Sequence, residues 1–90
     1  WAIAKQIVRS STSVGANYRA ACRAKSTPDF INKLKIVEEE ADETYYWLEI
    51  LEESGLINTA RVGLLKKEVN EILSIVVASI KTMRAKNRKS

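Results

Sequence analysis

Apolar and small residues recur along the chain at alternating spacings of three and four, which is the period of one face of an α-helix. Three such stripes are present, and we predict helices over about residues 1–25, 28–54 and 59–86. The first stripe consists of Trp1, Ala4, Val8, Ser11, Gly15, Tyr18 and Cys22, with Ile3, Ile7 and Val14 beside it. The second consists of Phe30, Leu34, Val37, Ala41, Thr44, Leu48 and Leu51. The third consists of Val62, Leu65, Val69, Ile72, Val76, Ser79 or Ile80, and Met83.

The boundaries between the stripes carry the residues that begin and end helices. Thr27 or Ser26 can cap the second helix, Gly55 can end it in the left-handed conformation, and Asn58 or Thr59 can cap the third helix. Short connections make consecutive helices antiparallel neighbours. We therefore predict an all-α fold, an antiparallel up-down helical bundle that forms a single domain over the whole chain.

The composition of the chain excludes several functional classes. Its 90 residues suffice for one domain, and it contains no His and one Cys. A histidine metal site, His-based acid–base catalysis and an intramolecular disulfide are therefore excluded. No apolar run reaches the roughly 20 residues that span a membrane. We expect a cytoplasmic protein without catalytic activity, cofactor, metal, small-molecule substrate or membrane association.

The net charge of +4 hides a segregated distribution of charged residues. Residues 1–37 contain seven bases and one acid, whereas residues 38–53 contain eight acids and no base. Residues 54–80 carry a net charge of +1, and residues 81–90 contain five bases and no acid. Such blocks of like charge are typical of surfaces that meet a charged partner.

The basic C-terminal segment has two interpretations, and both remain open at this stage. It is either a solvated helix end, where cations suit the negative pole of the helix dipole, or a surface that binds nucleic-acid phosphates. In the second case the bases near the end of the first helix lie at the same pole, since the first and third helices run parallel. The candidate nucleic-acid-binding residues are Lys81, Arg84, Lys86, Arg88, Lys89, Arg19, Arg23 and Lys25.

An ion pair is expected between the first two helices. If they form a hairpin that turns near residue 26, Arg9 lies opposite Glu43, and Glu40 shares a helix face with Glu43. A partly buried carboxylate there needs a fixed cation, and a guanidinium can bind it bidentately. Two close carboxylates could also indicate acid–base or di-metal chemistry, which would require an open cleft. We favour a structural ion pair that fixes the register of the helices.

Other side chains are candidates for packing or protein contacts. Trp1, Tyr46, Trp47 and Ile50 are interface candidates, because they are apolar residues in excess of what one stripe can bury. Cys22 falls on the first stripe, where we expect a small buried hydrophobic side chain. An alternative to nucleic-acid binding is a structural or protein-interaction module that docks through the acidic second helix, at Glu49, Glu52 and Glu53.

Four segments in order resemble one bacterial family. They are residues 6–19 (QIVRSSTSVGANYR), 26–34 (STPDFINKL), 40–48 (EADETYYWL) and 52–56 (EESGL). Together they resemble the four-helix-bundle proteins encoded in intervening sequences of 23S rRNA genes. They also resemble the related accessory variability proteins of diversity-generating retroelements.

The resemblance carries its own expectations. It implies a four-helix up-down bundle whose first helix would precede Trp1, a ring-like homo-oligomer such as a pentamer, and no established biochemical activity. The retroelement relatives imply contact with RNA or with a nucleic-acid enzyme through a basic surface. The motif residues Arg9, Asn17, Glu40, Glu43 and Trp47 look structural in this family, and a fold by itself does not define a function.

Overall fold

The structure is a computed structural model that describes residues 2–89, with side chains over residues 2–86. It contains three helices: α1 (Ala2–Cys22), α2 (Thr27–Ser54) and α3 (Thr59–Lys89). The described part of the chain has no strands, so the fold is all-α. Trp1 lies outside the described residues.

The two interhelical turns use the capping chemistry that the sequence predicts. Ser26 is the N-cap of α2, and its side chain accepts the Asp29 backbone N–H at 3.2 Å. Gly55 ends α2 with a φ of 72°, a left-handed conformation that glycine adopts without steric cost. Before α3, Asn58 Oδ1 accepts the Ala60 N–H at 2.8 Å.

Two helix ends differ from the predicted boundaries. α1 ends at Cys22, earlier than the predicted residue 25. The Ala24 N–H bonds to the Ala21 carbonyl at 3.0 Å, which tightens the chain into a turn before α2 begins. α3 continues to Lys89, beyond the predicted residue 86, so the basic C-terminal segment is an extension of a helix.

Helix α2 is the central element of the fold. Both α1 and α3 pack along it, whereas within residues 2–89 they do not approach each other closely. The Cα positions span 51 × 20 × 13 Å, so the described helices form a long and shallow layer. This arrangement exposes one flank of α1 and one flank of α3.

The apolar core consists of two clusters, one towards each end of α2. One cluster joins the C-terminal part of α1, the N-terminal half of α2 and the C-terminal half of α3; its buried members are Ala21, Ile31, Leu34, Val37, Val76 and Ile80. The other cluster is built on Leu48, Leu51 and Val62, with Ile3, Ile7 and Val69 packed against it. Each end of the molecule is therefore built from parts of all three helices.

The prediction of which face of α1 packs against α2 is wrong, because the face that packs is shifted by one residue along the sequence. Most of the predicted stripe is exposed, including Val8 and Tyr18, and the helix packs through the neighbouring stripe that contains Ser10 and Ala21. Ser10 is fully buried, because its small side chain lets α1 approach α2 closely. Its Oγ accepts a hydrogen bond from Thr44 Oγ1 at 2.8 Å and donates to the Gln6 carbonyl.

Two further expectations from the stripes are corrected. Cys22 lies on the outward flank of α1 and is exposed, so it is not a core residue. On α3, Leu65 and Ile72 belong to the predicted stripe but are exposed, whereas Val62 and Val76 are buried. Because α3 packs mainly against α2, only part of its broad apolar surface is covered.

Candidate nucleic-acid interface

One end of the molecule concentrates basic side chains from all three helices. The cluster around Ile31 and Val76 brings together the segments 16–37 and 74–86. These segments contain eight Lys or Arg residues and one acid, Asp29, and the acidic run that begins at Glu38 directly follows the first segment. We call this set the basic pole: Arg19, Arg23, Lys25, Lys33, Lys35, Lys81, Arg84 and Lys86. All of them are exposed except Lys33, which is half-buried.

The structure brings most of the predicted nucleic-acid-binding residues to this pole. Those with described side chains are exposed there, and they are Arg19, Arg23, Lys25, Lys81, Arg84 and Lys86. The side chains of Arg88 and Lys89 lie outside the described residues. Lys33 and Lys35 belong to the pole but were not predicted, since they precede the acidic run of α2 in the sequence. The antiparallel hairpin register was the signal that could have identified them.

The ion pairs of the described side chains lie outside the basic pole. Among residues 2–86, Arg9 pairs with Glu40 and Glu43, and Lys66 pairs with Glu52. None of these contacts involves a base of the pole. Its positive charges are thus available to an external anion, whereas those of Arg9 and Lys66 are already partly neutralised.

Arg9 connects α1 to two carboxylates of α2. Its Nη2 lies 2.5 Å from Glu43 Oε1 and its Nη1 lies 3.4 Å from Glu40 Oε2, while Nε donates to Gln6 Oε1 at 3.1 Å. Trp47 Nε1 also donates to Glu43 Oε1, at 3.3 Å. The Arg9 side chain is 47% exposed. Solvent screens such a pair, so its contribution lies mainly in fixing the register of α1 on α2.

These contacts explain the protonation state of Glu43. The Arg9 guanidinium holds the pKa of this carboxyl below its usual value, and the Trp47 indole N–H lowers the pKa further. Glu43 therefore remains ionised at neutral pH. A general acid needs a raised pKa instead, so this environment suits an ion pair rather than acid catalysis.

A second ion pair connects α2 to α3 at the end opposite the basic pole. Lys66 Nζ lies 3.3 Å from Glu52 Oε1 and 5.3 Å from the centre of the Tyr45 ring. The hydrogen bond to Glu52 raises the pKa of Lys66. Of the three acids predicted as a docking face, Glu52 is thus engaged within the fold, while Glu49 and Glu53 are exposed.

The predicted interface candidates differ in exposure. Tyr46 is 53% exposed, whereas Trp47 and Ile50 are half-buried. Tyr46 and Trp47 pack edge to face with ring centres 5.1 Å apart. Trp47 is therefore held from two sides, by this ring and by Glu43, and Tyr46 is the more exposed ring of the pair.

The described residues contain neither a candidate membrane-spanning helix nor a candidate metal-binding group. Within residues 2–89, no helix is long and apolar enough to cross a membrane. The same part of the chain contains no group of three or more Cys, Asp or Glu side chains placed to hold a metal ion.

Comparison with known proteins gives consistent similarities. The sequence pattern of one family, described as 23S rRNA-intervening sequence protein, matches residues 1–78. Among solved structures, the fold is similar to a Bacteroides thetaiotaomicron protein of unknown function from the S23 ribosomal protein family. The TM-score is 0.87 at 43% sequence identity, over 90% of this chain and 75% of the other. No curated protein sequence matches the chain.

Proposed function

Since the chain belongs to the 23S rRNA-intervening sequence protein family, we propose that it is a non-enzymatic, self-associating cytoplasmic scaffold that binds nucleic acid, with RNA as its ligand. The basic pole is the binding surface in this proposal. The observation that carries it is the convergence of Lys and Arg side chains from three helices at one end of the fold, where they form no ion pair within residues 2–86.

The side chains of the pole favour contact with the phosphate backbone of the nucleic acid over contact with its nucleobases. Nucleic-acid affinity without sequence readout comes mainly from Lys and Arg side chains that replace counterions on phosphates. Proteins that read single strands by stacking place aromatic side chains among those cations. Here three of the aromatic residues, Tyr45, Tyr46 and Trp47, lie in the acidic part of α2, and Tyr18 is the exposed aromatic side chain among the described residues of the pole. We therefore propose backbone contact with little dependence on sequence.

The surroundings of the paired carboxylates support a role without catalysis. Glu40 and Glu43 would be the acid and base of a hypothetical enzyme, but both contact the Arg9 guanidinium. In addition, Glu43 accepts the Trp47 N–H. The Arg9 and Trp47 contacts stabilise the charged form of Glu43 and lower its pKa, so this carboxyl group is not poised to exchange a proton at neutral pH.

The position of Cys22 allows a direct test of where RNA binds. It is the single cysteine of the chain, it is exposed, and it lies between Arg19 and Arg23 on the basic pole. A photoreactive benzophenone attached to Cys22 is expected to cross-link a radiolabelled oligouridylate. The matched control is Cys22→Ser with Ala60→Cys, which moves the label to an exposed position at the opposite end. Equal cross-linking from both positions, or none from Cys22, would contradict the proposal.

Self-association is the second part of the proposal. Large apolar side chains remain exposed on two helices, with Val8 and Tyr18 on α1 and Leu65, Ile72 and Ile75 on α3. Large apolar side chains that remain exposed on helix flanks are candidates for protein contacts. Light scattering coupled to size-exclusion chromatography is expected to give a multiple of the chain mass, with a pentamer implied by the family resemblance. A single-chain mass at all concentrations would contradict self-association.

A further inference from the structure

A small cleft lies on the seam between α2 and α3, within the basic pole. It has a volume of about 100 Å³. Lys35 and Glu38 of α2 form one wall, and Lys81 and Arg84 of α3 form the other wall, with Val77 and Ile80 between them. The cleft thus gathers three cations and one carboxylate from two different helices.

The antiparallel register of the two helices explains why these residues meet. Far along the same seam, Lys66 contacts Glu52 at 3.3 Å, and this contact aligns α3 with α2. Counting back along α2 and forward along α3 by equal steps brings Lys35 opposite residues 81–84. Lys35 therefore joins the two α3 bases although it precedes them by slightly more than half of the chain.

The charges in the cleft are not explained by the packing of this chain. Three neighbouring cations repel one another and oppose folding. Among residues 2–86, no carboxylate, that of Glu38 included, lies within ion-pairing distance of these three cations. By comparison, Arg9 and Lys66 at other helix contacts are paired. A bound external anion would offset the repulsion within this cluster.

The shape and the polarity of the cleft fit a small oxyanion. Ile80 is buried and Val77 is half-buried, so apolar side chains form part of the cleft beside its charged groups. Attraction between charges is stronger beside low-dielectric groups than in open water. A guanidinium such as that of Arg84 offers planar paired donors that match phosphate oxygens, while the two lysines supply point charges.

We propose that this cleft holds one phosphate group of a nucleic-acid backbone, contacted by Lys35, Lys81 and Arg84. The proposal rests on the proposed function, and it adds a defined phosphate subsite and a residue of α2 to it. Glu38 lines the same cleft and repels a bound phosphate. Removing a lysine and removing the glutamate should therefore change affinity in opposite directions.

The first test compares two single-charge variants of the full chain, with a fluorescein-labelled oligouridylate as the probe. Lys35→Gln should weaken binding about fivefold at about 0.1 M salt, because one phosphate contact to a single strand contributes roughly 0.7 of a counterion. Lys67→Gln removes the same charge from an exposed site in the other half of α3 and should leave affinity unchanged. Lys35→Arg keeps the charge and should retain the affinity of the wild type.

The second test uses the carboxylate of the cleft. Glu38→Gln should tighten binding of the same probe about fivefold, since it removes one repelling charge next to the bound phosphate. Glu53→Gln makes the same change at an exposed position remote from the pole and serves as its control. If net charge alone set the affinity, Glu38→Gln and Glu53→Gln would change it equally, and that result would overturn the subsite.

The outcomes separate this inference from the function on which it rests. If the wild type binds RNA but Lys35→Gln behaves like Lys67→Gln, the phosphate subsite is overturned and the basic pole stands as the interface. If the wild type fails to bind the probe at any salt concentration, the proposed function falls and the subsite falls with it. Weakening by Lys35→Gln together with tightening by Glu38→Gln supports both.

Discussion

Replacing Leu34 with alanine is expected to lower the free energy of unfolding by about 2–5 kcal/mol. Leu34 is 2% exposed and lies in the central helix, in the cluster that includes Ala21, Val76 and Ile80. Truncation there removes apolar contacts with both flanking helices and leaves a cavity, since the backbone of a packed helix relaxes only partly. The loss is a large fraction of the stability of a domain of this size.

The measurement is chemical denaturation followed by circular dichroism, with Leu64→Ala as the matched control. Leu64 is 65% exposed, so truncating it should change the free energy of unfolding by no more than about 0.5 kcal/mol. Equal effects of the two substitutions would contradict the packing described here. A loss below about 1 kcal/mol for Leu34→Ala would do the same, because well-packed leucines cost more.

Neutralising three bases of the basic pole is expected to reduce RNA affinity about a hundredfold at about 0.1 M salt. The variant combines Arg23→Gln, Lys25→Gln and Lys86→Gln, all of which are exposed and lie outside the α2–α3 cleft. Each lost phosphate contact costs roughly a factor of five, so the loss of three contacts costs about a hundredfold. Circular dichroism should show unchanged helix content.

The control for this variant removes the same charge from the opposite end. Lys5, Arg61 and Lys67 are exposed there, and changing all three to glutamine lowers the net charge by the same amount. Affinity should then fall much less, by the screened long-range effect alone. Equal losses in the two triple variants would mean that net charge, rather than the basic pole, attracts the nucleic acid.

The central helix was the part of the fold that the sequence predicted best. The second stripe is one residue wide and strictly periodic, and its members from Leu34 to Leu51 are all buried. The ends of α2 are also recognisable in the sequence. The Ser26 side chain caps the first turn, and Gly55 adopts the left-handed conformation that ends the helix. The all-helical class and the family resemblance are confirmed.

The face of α1 could not be predicted in the same way. Two neighbouring stripes of this helix are apolar or small, so periodicity alone does not choose between them. The choice depends on which stripe lets the helix approach α2, and the stripe that does so contains Ile3, Ile7 and Val14 together with Ser10, which accepts a hydrogen bond from Thr44. The outward position of Cys22 follows from the same rotation of α1.

The candidate interface was also predicted in part. The Lys and Arg residues near the C-terminal ends of α1 and α3 could be assigned to one surface, because parallel helices bring their C-terminal ends to the same pole. Lys35 was not, since its neighbours in sequence include the acidic run that begins at Glu38. Only the register of α3 along α2 assigns Lys35 to the same cleft as Lys81 and Arg84. Local charge in the sequence is therefore a poor guide to charge on this surface.

The salt dependence of RNA binding tests the central claim most directly. With about six phosphate contacts, the logarithm of the wild-type association constant should fall linearly with the logarithm of salt concentration, with a slope of about −4 for a single strand. The Arg23, Lys25 and Lys86 triple variant should reduce the steepness by about 2. A wild-type affinity that is independent of salt, or an identical slope in the triple variant, would contradict binding through the basic pole.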